Sequence, residues 1–195
     1  MSFRLGLTGS IGMGKSTTAQ MFRDLGHPVW DADDAVHRLY APGGAAVGPV
    51  AAAFPAALRD GCIDRGALKH ALAADPGALT RLEALVHPLV AQDRQQFIAR
   101  YSDAPLVVLD IPLLFEGRSP PQLDGVAVVS TDAQTQHARV LARPGMTAEM
   151  LELILARQMP DDQKRARADW IIPTDTPDAA RAAVARIVKE VTSHA

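Results

Sequence analysis

Residues 3–17 read FRLGLTGSIGMGKST, and this stretch limits the fold more than any other. A short apolar run leads into a glycine-rich loop. KSTTAQMFRDL (15–25) then reads as a helix that stops at Gly26. Gly9, Gly14, Lys15 and Ser16 occupy the spacing G-x-x-x-x-G-K-[ST]. Glycines let successive backbone N–H groups turn inward around an anion, and the following helix aims its positive end at the same point. Lys15 can reach the outer phosphates of a nucleotide, and the Ser16 hydroxyl suits Mg2+. Gly12, Met13, Gly14, Lys15, Ser16 and Thr17 are the expected nucleotide-binding residues. For the pattern taken alone, the alternative is a glycine turn beside a surface lysine.

The rest of the chain supplies the strand–helix alternation that such a cradle needs. PVW (28–30), PLVVLDI (105–111), GVAVVS (125–130) and DWII (169–172) read as strands. They are mostly apolar throughout, as in a parallel sheet covered on both faces. Thr131 with Gln134 predicts a capped helix to about Ala142, and a second helix runs from about Thr147 to Gln158. Thr176-Pro177 opens the last helix. Residues 44–100 hold no convincing strand and read as helices broken at Pro55, Asp75-Pro76-Gly77 and Pro88. The expected fold class is α/β: the three-layer P-loop NTPase fold, with a parallel central sheet and a helical lobe inserted in it.

Composition removes several function classes. The 195 residues suffice for one well-packed domain. The formal net charge of −2 and pI near 6.3 give no basic field for nucleic acid or an anionic membrane. Apolar runs such as LVVL (106–109) are too short to span a bilayer, and MSFRLG lacks a signal-peptide core, so a cytoplasmic location is expected. Cys62 is the only cysteine, which rules out an internal disulfide and reads as a small packing residue. GTPases normally read guanine with N-K-x-D, and this chain contains no asparagine. Motor ATPases usually need more chain. A small-molecule kinase is the leading class, with a nucleotide-sensing binding protein as the alternative.

A kinase needs a carboxylate near the transferred phosphate, to orient or deprotonate the acceptor or to serve Mg2+. WDADD places Asp31 and Asp33 just past the second strand. Asp33 also suits the N-cap of the following helix. Asp110 ends LVVLD, the usual form of a strand whose acid meets Mg2+. Arg139 and Arg143, four apart, are expected on one helix face, where a closing lid would bring them to the phosphates. Lys164, Arg165 and Arg167 read as a solvated basic face.

Together, GLTGSIGMGKST (6–17), DADDAVHRLY (31–40), DRGAL (64–68), LEALVHPLV (82–90), DIPLLFE (110–116), TQHARVLARPGMT (135–147), ILARQ (154–158) and the AD at 168–169 resemble the dephospho-coenzyme A kinase family over nearly the whole chain. The resemblance implies Mg·ATP-dependent phosphorylation of the ribose 3′-hydroxyl of dephospho-coenzyme A. It implies one domain with a core (about 1–34, 101–138 and 168–195), a helical acceptor-binding insertion (about 35–100) and a lid (about 139–167). By position it makes Lys15, Asp33, Arg139 and Arg143 catalytic and Ser16 a metal residue, which Asp110 joins from its own place at the end of LVVLD. Asp31, Arg38, Arg65 and His87 become acceptor-binding. The implied partners are ATP and dephospho-coenzyme A, with no nucleic acid or membrane, in a monomer or weak oligomer. The alternative within enzymes is a P-loop kinase for another small hydroxyl or nucleotide acceptor. Three departures stand out. Ser10 and Met13 replace small residues of the family's usual cradle. IPTDTP (172–177) stands where many members read I-D-N-x-G beside the base, and not every member carries an acid at the position of Asp110.

Overall fold

A computed structural model of the chain describes residues 2–117 and 121–193. It divides into two compact units, one of residues 1–30 and 101–195 and one of residues 31–100.

The first unit is built on the sheet. Its strands are β1 (Phe3–Thr8), β2 (Val29–Asp31), β5 (Leu106–Asp110), β6 (Gly125–Ser130) and β7 (Trp170–Pro173), in the order β2-β5-β1-β6-β7. β1 pairs in parallel with β5 and β6, and β6 with β7. Strand order therefore reverses on either side of β1, and ligands of such sheets bind beyond the carboxyl end of the strand at that point. The glycine loop leaves β1 there. Leu5, Leu7, Leu106, Val108, Ala127 and Val129 are fully buried and form the core with Phe22 of helix α1 (Lys15–Asp24) and Val184 and Ile187 of helix α9 (Pro177–Thr192). Burial of both faces explains why these strands read as continuous apolar runs.

Between β6 and β7 lie α6 (Ala133–Leu141), α7 (Ala148–Leu155) and α8 (Asp161–Ala166). The cap of α6 differs from the expected Thr131. Asp132 is the N-cap and accepts the Thr135 N–H at 2.8 Å, while the Thr131 hydroxyl donates to Asp175 at 2.7 Å. A carboxylate one residue nearer the helix outcompetes the hydroxyl for the free N–H groups of the first turn. α6 ends as expected, at Leu141 with Ala142 as its cap, so Arg143 does not continue the helix of Arg139. It sits past the cap, before Pro144 and Gly145 (φ 75°), where proline disfavours a helical residue ahead of it.

The second unit has its own core, in which Leu39, Tyr40, Val50, Phe54, Ile63, Leu68, Leu82 and Val86 are buried together. It contains α2 (Ala32–Tyr40), α3 (Val47–Ala53), a hairpin of β3 (Leu58–Arg59) and β4 (Cys62–Ile63), α4 (Arg65–Ala74) and α5 (Ala78–Arg100). The hairpin corrects the expectation of a strandless insertion. Asp60 and Gly61 both take positive φ, the two-residue turn that suits antiparallel strands. Pro88 does not break α5. It lies inside a continuous 23-residue helix. The carbonyl it leaves unbonded belongs to Ala84, which faces solvent, while Leu82 and Val86 bury the other side.

Candidate active site

The cradle begins where β1 ends. Gly12 and Gly14 adopt φ of 79° and 87°, a region that L side chains rarely occupy. Each is also pressed from behind: a Cβ on Gly12 would lie 2.5 Å from Val140 Cγ2, and one on Gly14 would lie 3.2 Å from Thr174. α1 starts at Lys15 with Gly14 as its N-cap, no side chain capping it and no acid in its first turn. A ten-residue helix therefore presents its positive end, with N–H groups uncapped, to whatever lies in the loop.

Lys15 Nζ donates to Asp110 Oδ1 at 2.5 Å, and Asp110 is fully buried at the end of β5, in register with Leu7 of β1. The two sequence candidates are thus one ion pair that holds the lysine stem across the mouth of the cradle. Ser16 and Thr17 are exposed beside it, while Thr18 is buried and donates back to the Gly14 carbonyl. Met13 turns its side chain into the core, where its sulfur accepts the Thr131 N–H, and its own N–H donates to the Ser10 carbonyl at 3.2 Å.

Thr174 is a hub that the sequence reading missed. It is buried, and its hydroxyl donates to the Met13 carbonyl at 2.7 Å. Arg139 reaches it from α6, donating to the Thr174 carbonyl at 2.6 Å and to its hydroxyl at 3.2 Å. Arg139 is therefore one residue removed from the cradle. Arg143 is exposed and makes no side-chain hydrogen bond among the described residues.

The segment leading to α8 is pinned to the core. Lys164 is not on a solvated face: it is fully buried, with Nζ 2.9 Å from Glu116 Oε1. The same carboxylate accepts the Met159 N–H at 2.8 Å. Burial pushes the Glu116 carboxyl up, but the Met159 N–H and the Lys164 ammonium together hold it below the ordinary glutamate range. Arg165 is exposed, and Arg167 lies over the Phe115 ring at 5.9 Å.

In the second unit, Asp31 and Asp33 separate into different roles. The Asp31 carboxylate caps α2, accepting the N–H groups of Asp33 and Asp34 at 2.8 and 3.1 Å. Asp33 is not the cap. It lies exposed in the first turn, its side chain without a hydrogen bond among the described residues. Arg38 bridges to Asp93 of α5 at 2.7 Å. Arg65 Nη1 lies 2.8 Å from His37 Nε2, bringing together two basic residues of α4 and α2, of which only Arg65 stood out in the sequence. His87 is exposed on α5.

Comparison with known proteins identifies the family. The family model described as dephospho-CoA kinase matches residues 3–179. A dephospho-CoA kinase of Cereibacter sphaeroides is 60% identical over 189 residues, covering 97% of this chain and 95% of that protein. One of a Jannaschia species is 57% identical over 192 residues, covering 98% of each. A crystal structure of a Thermus thermophilus protein superimposes with a TM-score of 0.84 at 34% identity, covering 97% of each chain. Dephospho-CoA kinase of Campylobacter jejuni, at 22% identity and a TM-score of 0.68 over 98% of each chain, shares the fold. With a sheet that reverses at β1, a glycine cradle at that point and relatives matched along almost its entire length, the chain belongs to the dephospho-CoA kinase family.

Proposed function

We propose that the protein transfers the γ-phosphate of ATP to the ribose 3′-hydroxyl of dephospho-coenzyme A, giving coenzyme A and ADP. Family membership supports the activity and its substrates. The observation that carries the chemistry is the uncapped N-terminus of α1 behind a positive-φ glycine loop, with Lys15 held on Asp110. Such a site binds a phosphate chain through backbone N–H groups, the helix end and one cation.

In this reading the cradle N–H groups and Lys15 hold the β- and γ-phosphates. Asp33, whose carboxylate is not engaged in capping, takes the proton of the acceptor hydroxyl as its oxygen bonds to phosphorus and the bond to the ADP oxygen breaks. Arg143, exposed and without a side-chain hydrogen bond among the described residues, meets the charge that develops in transfer. Arg139 holds Thr174, and through it the cradle. Arg65, with His37 and His87, receives the anionic groups of dephospho-coenzyme A, while Asp31 and Arg38 shape that surface. The Ser16 hydroxyl and the Asp110 carboxylate are a donor set that fits Mg2+, an ion that takes few protein ligands besides phosphate and water. Bound there, Mg2+ would neutralise charge on the phosphates. The reading carries a cytoplasmic location and a monomer or weak oligomer with it.

The test is purified protein with Mg·ATP and a panel of dephospho-coenzyme A, nucleoside monophosphates, shikimate and gluconate, with products read by mass spectrometry. The expected outcome is one new phosphate on the 3′ position of dephospho-coenzyme A, with kcat/KM at least about 10³ above any other acceptor, roughly 4 kcal/mol of differential transition-state binding. Phosphorylation of another panel member with dephospho-coenzyme A untouched would leave only the kinase class standing. ATP binding without turnover on any acceptor would favour the sensor alternative.

A further inference from the structure

Ile11 lies at the crest of the cradle, and both of its peptide groups are held by side-chain amides from distant parts of the chain. Its N–H donates to Gln158 Oε1 at 3.1 Å. Its carbonyl accepts from Gln136 Nε2 at 2.8 Å. Gln136 is buried on α6, and Gln158 is partly buried between α7 and α8. Neither residue has a role in phosphate chemistry of its own.

A trans peptide is planar, with its C=O and N–H pointing opposite ways. Holding the Ile11 carbonyl on Gln136 therefore turns the Gly12 N–H away from α6. Holding the Ile11 N–H on Gln158 turns the Ser10 carbonyl the other way, where it accepts the Met13 N–H. Without these two bonds the Ile11–Gly12 peptide could rotate cheaply, because glycine accepts either sign of φ. A carbonyl turned towards a phosphate chain would repel it.

Gln158 is itself held in place. The next residue, Met159, donates its N–H to Glu116, which pairs with buried Lys164. Cradle, Gln158 and the α8 anchor thus form one connected chain of contacts.

We infer that Gln136 and Gln158 are positioning residues of the nucleotide site: they fix the two peptides flanking Ile11, and Gln158 ties that orientation to the seating of residues 158–164 on Glu116. The inference rests on the reading of residues 9–17 as the ATP phosphate cradle.

The experiment uses Gln158→Met and Gln136→Met, which keep volume but remove the amide, with Lys15→Ala as the control. ATP affinity by calorimetry, KM for each substrate, and amide hydrogen exchange at Ile11 are measured in the full chain. In Gln158→Met, ATP affinity should fall about three- to tenfold, the worth of one neutral hydrogen bond. KM for dephospho-coenzyme A should stay within about twofold, and exchange at Ile11 should accelerate at least about tenfold. Gln158→Glu, whose carboxylate still accepts the Ile11 N–H, should keep the slow exchange. If Gln136→Met does not fold, Gln158 decides alone, since it lies outside any helix or strand. ATP affinity within about 1.5-fold of the parent in Gln158→Met, or equal losses for ATP and dephospho-coenzyme A, would overturn the inference. Parental ATP binding by Lys15→Ala would remove the cradle reading and this inference with it. Weak binding by Lys15→Ala beside parental glutamine variants would remove the inference alone.

Discussion

Glu116→Gln is the sharpest test of how residues 158–164 are anchored. The substitution preserves shape and leaves an oxygen to accept the Met159 N–H, so it isolates the charge. It strands Lys164, whose side chain is 0% exposed against 17% for Glu116. Removing one partner of a buried ion pair costs about 3–5 kcal/mol. The expected loss is therefore roughly 3–5 kcal/mol, or about 6–20 °C in Tm for a chain of this size. Lys164→Met should cost less, about 1–2 kcal/mol, because Glu116 keeps the Met159 N–H and its side chain is not fully buried. The double variant should fall near Lys164→Met alone, giving a coupling as large as the Glu116→Gln loss itself, about 3–5 kcal/mol. Tryptophan fluorescence is the assay, since Trp30 and Trp170 are the only tryptophans and both belong to the first unit. The pH dependence supplies a second check. The Glu116 carboxyl is held below its ordinary range, so its contribution is complete above about pH 4.3 and is lost as pH falls through the lowered folded value. The gap between parent and Glu116→Gln should accordingly shrink in acid. A loss under about 1 kcal/mol, or additive single variants, would refute the reasoning.

Two further outcomes separate residues that the sequence grouped together. Asp33→Asn should lower kcat by roughly 10²–10⁴, the range of a general base, with ATP affinity and thermal stability unchanged, because Asp31 and not Asp33 caps α2; steady-state kinetics beside calorimetry would show it, and a kcat within about threefold of the parent would return Asp33 to the surface. Arg143→Ala should reduce turnover alone, whereas Arg139→Ala should also weaken ATP binding by about tenfold, because it releases Thr174 and the Met13 carbonyl behind the cradle; equal kinetic profiles for the two would contradict the placement.

The parts legible in the sequence are those whose cause is local. GVAVVS was readable to the residue as β6, and PLVVLDI as β5 to within one residue at each end, because burial on both faces leaves no polar residue inside the strand. Thr176-Pro177 was readable as the start of α9, since cap and proline act within one turn. Pro88 misled for the complementary reason. Its local cost is real, but Leu82 and Val86 are buried on the same helix, and tertiary packing outweighs one lost hydrogen bond. The hairpin at 58–63 carries an Asp-Gly turn, yet each strand is two residues long, too short for any periodicity. Lys164 reads as one basic residue among neighbours, and only its distance to Glu116, 48 positions earlier, shows that it is buried.

The same division runs through the cradle itself. Gly12 and Gly14 are visible in the sequence because the loop needs conformations that other residues resist, and Gly9 because a Cβ there would lie 2.3 Å from Val129 Cγ2, but that freedom is also what a preorganised anion site must suppress. Rigidity has to come from outside the motif. Thr174 holds the Met13 carbonyl from beyond β7, Gln136 holds the Ile11 carbonyl from α6, and Gln158 holds the Ile11 N–H from the segment before α8. Each side chain contributes one neutral hydrogen bond, worth about 0.5–1.5 kcal/mol, too little to impose a motif on its own position. Their combined effect is to select, among the many shapes a glycine loop can take, one in which the Ile11 and Met13 carbonyls are directed to side chains and the Gly12 N–H is turned away from α6. A short motif can therefore announce that a phosphate binds. How firmly it binds depends on residues up to 161 positions away in the chain, which is where substitutions that tune nucleotide affinity without touching the nucleotide should be sought.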